Sequence, residues 1–90
     1  MSYFNGMTLE EWLASPEGLH AVRWHATWKR VPENEAVKSY LTNIMVQDAG
    51  LLRLDPKPTD YDIESIRTTH LQHIQFFARR GWDVPQEAHV

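Results

Sequence analysis

The sequence predicts an all-α fold, a compact bundle of three main helices with a short fourth at the N-terminus. Three observations carry that reading. Apolar residues recur at spacings of three and four. Proline and glycine punctuate the chain at helix-length intervals. No stretch alternates apolar and polar residues over four to eight positions between turns, as a half-buried strand would.

The first helix is expected over 9–14. Thr8 followed by Glu11 fits the capping box, in which each side chain satisfies the other residue's orphan N–H. Ser15-Pro16-Glu17 starts the second, over 16–30. Serine serves as N-cap, proline sits where its missing N–H is harmless, and glutamate faces the positive end of the helix dipole. Val31-Pro32 breaks that helix, because proline disfavours a helical residue before it. The third, over 34–49, carries the stripe Val37, Tyr40, Leu41, Ile44, Met45 and Asp48, and Gly50 stands where a left-handed cap would close it. The stretch LLRLDPKPTD has two prolines and no helical period, so it reads as an ordered loop with Leu51, Leu52 and Leu54 to bury. The fourth helix, over 60–80, is capped by Thr59 with Asp62 or by Asp60, presents Ile63, Ile66, His70, Ile74 and Phe77 inward, and ends at Gly81. A tail, 82–90, follows, with Trp82 placed to fold back. The expected central core is Val37, Leu41, Ile44, Ile66, Ile74 and Phe77.

Ninety residues make a single helical domain, 1–90. A chain this short buries only about 60–65% of its unfolded surface, so stability rests on a few bulky residues. Four Trp, three Phe and three Tyr supply them. The absence of cysteine removes disulfides, thiolate chemistry and Cys-based metal sites. A net charge of −3 argues against duplex DNA, whose binders concentrate positive charge. No apolar run reaches the ~20 residues that span a bilayer, and the N-terminus has neither a basic nor an apolar leader segment. The expected location is the cytoplasm, with no membrane association.

The stretch LHAVRWHATWKR, 19–30, packs two tryptophans, two histidines and three cations into twelve residues. On a helix, Ala21, Trp24, His25 and Trp28 share one side, while Leu19, Val22 and Ala26 take another. Apolar residues around so much circumference call for neighbours on more than one side. Because tryptophan carries the larger burial energy, Trp28 is expected inward and Trp24 at the boundary, with Arg23 exposed beside it. A Trp–Arg surface is the composition most enriched at binding hot spots. Arg23, Trp24, Lys29 and Arg30 are therefore partner-binding candidates, and Arg79, Arg80 and Trp82 form a second basic-aromatic group. The competing apolar face also suggests a homodimer, the commonest oligomer.

His70 and His73 stand three apart and are neighbours on a helix, so they are weak candidates for metal ligands, with His20, His25 or a carboxylate as a third. The spacing matches neither a zincin nor a di-iron motif, and no cofactor is assigned. Asp60, Asp62 and Glu64 cluster in the first turn of a helix, where capping and the dipole account for them. With no phosphate loop and no nucleophile motif, an enzyme is not expected. The function that fits best is a small protein-binding module, an adaptor or inhibitor of a partner protein such as a phage or mobile element encodes. The alternatives are a nucleotide-like ligand sandwiched by Trp24, Trp28 and Arg23, and a His-based metal protein.

Overall fold

In a computed structural model of the chain, which describes residues 3–4 and 6–90, four helices account for the order of the chain. They are α1 (Leu9–Ala14), α2 (Pro16–Lys29), α3 (Ala36–Leu52) and α4 (Ile63–Arg80), with 3₁₀ turns at Glu33–Glu35 and Gln86–Ala88. The fold is all-α: three long helices follow a short N-terminal one, and no strand occurs among the described residues. The fold divides into two units, Met1–Leu41 and Thr42–Val90, and α3 runs from the first into the second.

In the first unit, Thr8 and Glu11 form the capping box, with Thr8 Oγ1 accepting from the Glu11 N–H at 3.1 Å and the Thr8 N–H donating to Glu11 Oε1 at 2.8 Å. Ser15 then closes α1 and opens α2 together. Its N–H and its hydroxyl both donate to the Trp12 carbonyl, at 3.0 and 2.6 Å, while its oxygen accepts from the Gly18 N–H at 3.1 Å. The turn is tight. A Cβ at Gly18 would sit 1.9 Å from the Trp12 carbonyl oxygen, so only glycine lets the two backbones approach this closely. Gly18, Val22 and His25 are the buried residues of α2. Trp12 is buried as well, stacked on Tyr40 with ring centroids 6.2 Å apart.

In the second unit, α4 buries His70, His73, Phe76 and Phe77. Asp62 caps it, its Oδ1 accepting from the Ser65 N–H at 3.1 Å, and Gly81 ends it in the left-handed conformation that glycine tolerates. Trp82 folds back edge-on against Phe76 and Phe77, at 6.0 and 5.3 Å between centroids. The tail is also tied down. Three successive carbonyls each accept from a side chain: Glu87 from Arg53 Nη2 at 3.1 Å, Ala88 from His70 Nε2 at 2.8 Å, and His89 from Arg53 Nη1.

Several expectations are corrected. The third helix does not stop at Gly50: it starts at Ala36 behind the 3₁₀ turn and continues through Leu52. Gly50 is an interior helical residue, because Leu51 and Leu52 extend the apolar pattern, Leu52 being buried. The second helix ends at Lys29, with Arg30 in the left-handed cap position. The fourth begins at Ile63 rather than 60, because Asp62 supplies the cap in place of Thr59 or Asp60. Of the expected core only Leu41 and Phe77 are fully buried. Val37, Ile44, Ile66 and Ile74 are half-buried, and Met45, Ala49 and Phe76 take the innermost positions.

Candidate functional site

Trp28 does not point inward. Trp24 and Trp28 are each 64% exposed, and their indoles lie parallel at 10° with centroids 6.2 Å apart, one helical turn between them. The cause lies at the other end of α2. The close approach at Gly18 fixes which way the helix is rotated, and residues four and seven further on, Val22 and His25, then line the buried side. Trp24 and Trp28 fall outside that line, and the large-aromatic place in this unit is held by Trp12. His25 is buried through specific contacts: Nε2 lies 2.9 Å from Ser39 Oγ, and its ring meets Tyr40 edge-on at 5.7 Å. Burial lowers the His25 pKa, and the nearby Lys29 charge lowers it further.

One cation lies against the indole pair. The Lys29 ammonium stands over the Trp28 ring at 5.1 Å, a cation–π contact. Arg23 and Arg30 are exposed. A planar ligand between the two indoles would need ring planes about 7 Å apart, twice the optimal carbon contact distance. The 6.2 Å centroid separation is shorter than that, so the gap between the indoles does not admit a planar ligand.

The other named candidates belong to the second unit. Arg79 and Arg80 are exposed at the end of α4, and Trp82 is half-buried. The Arg80 guanidinium lies 4.5 Å from the Phe76 centroid and 5.9 Å from that of Trp82, so it covers these rings.

His70 and His73 are buried, and His70 Nε2 is engaged by the Ala88 carbonyl, which requires the proton on that nitrogen. Burial and then the neighbouring His70 charge hold the His73 pKa at about 4, against an ordinary 6.5. Asp48 on α3 is pushed up by burial and pulled part of the way back by His70. Among the described residues, no group of three or more His, Asp or Glu side chains is arranged to hold a metal ion. No helix among them is long and apolar enough to cross a membrane.

The residues that sequence reasoning missed are Gly18 and Trp12. A glycine inside a helical segment was the available signal, since it weakens a helix and so points to a packing reason without saying which. No protein-family model matches this chain, and neither does any curated protein or solved structure.

Proposed function

We propose that the protein is a protein-binding module that engages its partner through the Trp24–Trp28 face of α2, as an adaptor or inhibitor acting by occupying a surface. The observation that carries this reading is the stacked indole pair, 64% exposed at both rings. Two parallel indoles form a rigid apolar platform that loses little conformational entropy when covered, and the cations Arg23, Lys29 and Arg30 supply a charged border. Tryptophan and arginine are the residues most enriched where truncation costs binding energy.

The test compares the wild-type chain with Trp24→Ala and Trp28→Ala as baits, followed by direct titration of the purified captured protein. Each variant is expected to keep its helical circular dichroism and melting temperature, since neither ring is part of the interior. Each is expected to weaken capture by about 2 kcal/mol or more, roughly thirty-fold in Kd. Equal capture by wild type and both variants would move the interface elsewhere, and melting of either variant would make the ring a structural one.

A further inference from the structure

Within the second unit, residues 83–90 are attached differently from the helices. The Trp82 N–H still donates to the Phe77 carbonyl, at 2.9 Å. Beyond it, among the described residues, no backbone–backbone hydrogen bond joins 83–90 to the rest of the chain. The 3₁₀ turn closes only on itself, with the Ala88 N–H donating to the Pro85 carbonyl at 3.0 Å and the His89 N–H to the Gln86 carbonyl at 3.2 Å. What holds the segment is side chains on three successive carbonyls: Arg53 on Glu87 and His89, and His70 on Ala88 between them. Ala88 is its one buried residue, while Asp83, Gln86, Glu87, His89 and Val90 are exposed. Few hydrogen bonds and one buried methyl make a unit that opens at low cost.

His70 is the attachment that answers to acid. Its side chain is 4% exposed, and with Nε2 donating to Ala88 the neutral ring leaves Nδ1 as an acceptor that no hydrogen bond reaches. A proton taken up in acid goes to Nδ1 and makes it a charged N–H with no acceptor, which is costly inside a protein. The surroundings decide the sign. Arg53 holds the two flanking carbonyls, so a charged His70 is a second cation on the same three residues. His73, one turn further along α4, is buried and repels a charge on His70. Asp48 on α3 faces His70 with the opposite charge, and burial raises its pKa. Its protonation therefore comes early as pH falls, which steadies the interior but removes the counter-charge of His70. The side chains of Glu87 and His89 stand on the segment itself and are exposed. With the segment lifted, water reaches the imidazole and solvates the charge, so acid favours the open form.

We propose that residues 83–90 form an acid-released strap, closed over His70 at neutral pH and opened, with the helices intact, when the His70 ring takes up its second proton. The strap lies in the second unit and stands apart from the Trp24–Trp28 reading. The test titrates the ¹⁵N-labelled full chain from about pH 7.5 to about pH 4.5, following backbone amides and imidazoles together. The amides of Glu87, Ala88 and His89 are expected to move to unfolded-chain positions over the pH range in which the His70 ring titrates. Those of Phe76 and Phe77 in α4 are expected to hold. His70→Gln keeps a donor for the Ala88 carbonyl but takes up no proton. It is expected to stay closed to a pH about one unit lower, a tenfold higher proton concentration. Arg53→Ala, at an exposed position, is expected to open at a higher pH than the wild type. Should His70→Gln fail to fold, the Arg53→Ala shift and the coincidence of ring and strap transitions in the wild type decide. Loss of strap and α4 amides in one step overturns the proposal, as does a strap that stays closed throughout. A strap transition unchanged in His70→Gln overturns it too.

Discussion

Among single residues, His73 shows most clearly how burial converts into chemistry. Its side chain is 0% exposed, and its pKa lies at about 4 where an unfolded chain would have 6.5. Below pH 6.5 the unfolded chain takes up a proton that the folded chain refuses until about pH 4. The stability this neutral histidine contributes is therefore complete above pH 6.5 and is lost as pH falls through that window. The loss is on the order of 3 kcal/mol. His25, also lowered, adds in the same direction. Asp48, raised by burial, acts the opposite way and favours the fold at the acidic end. The displacement of His73 is large, which makes it the dominant contribution. Urea midpoints measured from pH 7.5 down to 4.5 should fall for the wild type, and His73→Leu should show a visibly flatter profile. Parallel profiles would remove His73 as the source.

At the scale of elements, the α1–α2 corner decides the site. Ser15 was legible in the sequence as the N-cap of α2, because serine before proline and glutamate is a start signal. What the tight turn demands of Gly18 was not, since it depends on the Trp12 carbonyl being 1.9 Å from where a Cβ would stand. Alanine ordinarily stabilises a helix interior by up to about 1 kcal/mol relative to glycine. Here the clash is with backbone, which cannot turn aside as a flexible side chain would. Gly18→Ala is expected to destabilise by about 1–3 kcal/mol, the range for overpacking, and a gain in melting temperature would disprove the close approach. The apolar stripe of α3 was readable from its spacing, yet spacing does not rank its members. Leu41 is fully buried and Ile44 half-buried. Leu41→Ala should therefore cost about 2–5 kcal/mol and Ile44→Ala distinctly less. Thermal melts of the two variants check the order.

At the scale of the whole molecule, the distribution of charge matters more than its sum. The net value of −3 conceals a stretch, 18–31, with three cations and no acid. Exposed charges of this kind act at range and are screened over about 8–10 Å at ordinary ionic strength. Arg30→Glu should consequently slow association with the captured partner more than it speeds release, and added salt should mimic the substitution. Stopped-flow or surface-binding kinetics separate the two rates. An effect confined to release would place Arg30 in direct contact instead.

The sequence by itself determined the helical class, the capping of α1 and α2, the breaks at proline, the stop at Gly81 and the folding back of Trp82. Each of these follows from local chemistry: an orphan N–H, a missing donor, a left-handed residue, an apolar ring next to apolar rings. The tertiary structure alone decided that Trp24 and Trp28 face outward while His25 and His73 face inward. Hydropathy ranks a tryptophan above a histidine, so a residue-by-residue reading sends the indole to the interior. The rotation of α2 is set instead by where its backbone can come closest to α1, which is at Gly18. Once that contact fixes the helix, the side chains in line with it are buried whatever their type. Burial of a histidine then becomes tolerable through a partner from elsewhere in the chain, Ser39 for His25 and the Ala88 carbonyl for His70. Such partners lie fourteen and eighteen residues away along the sequence, beyond the reach of any helical period.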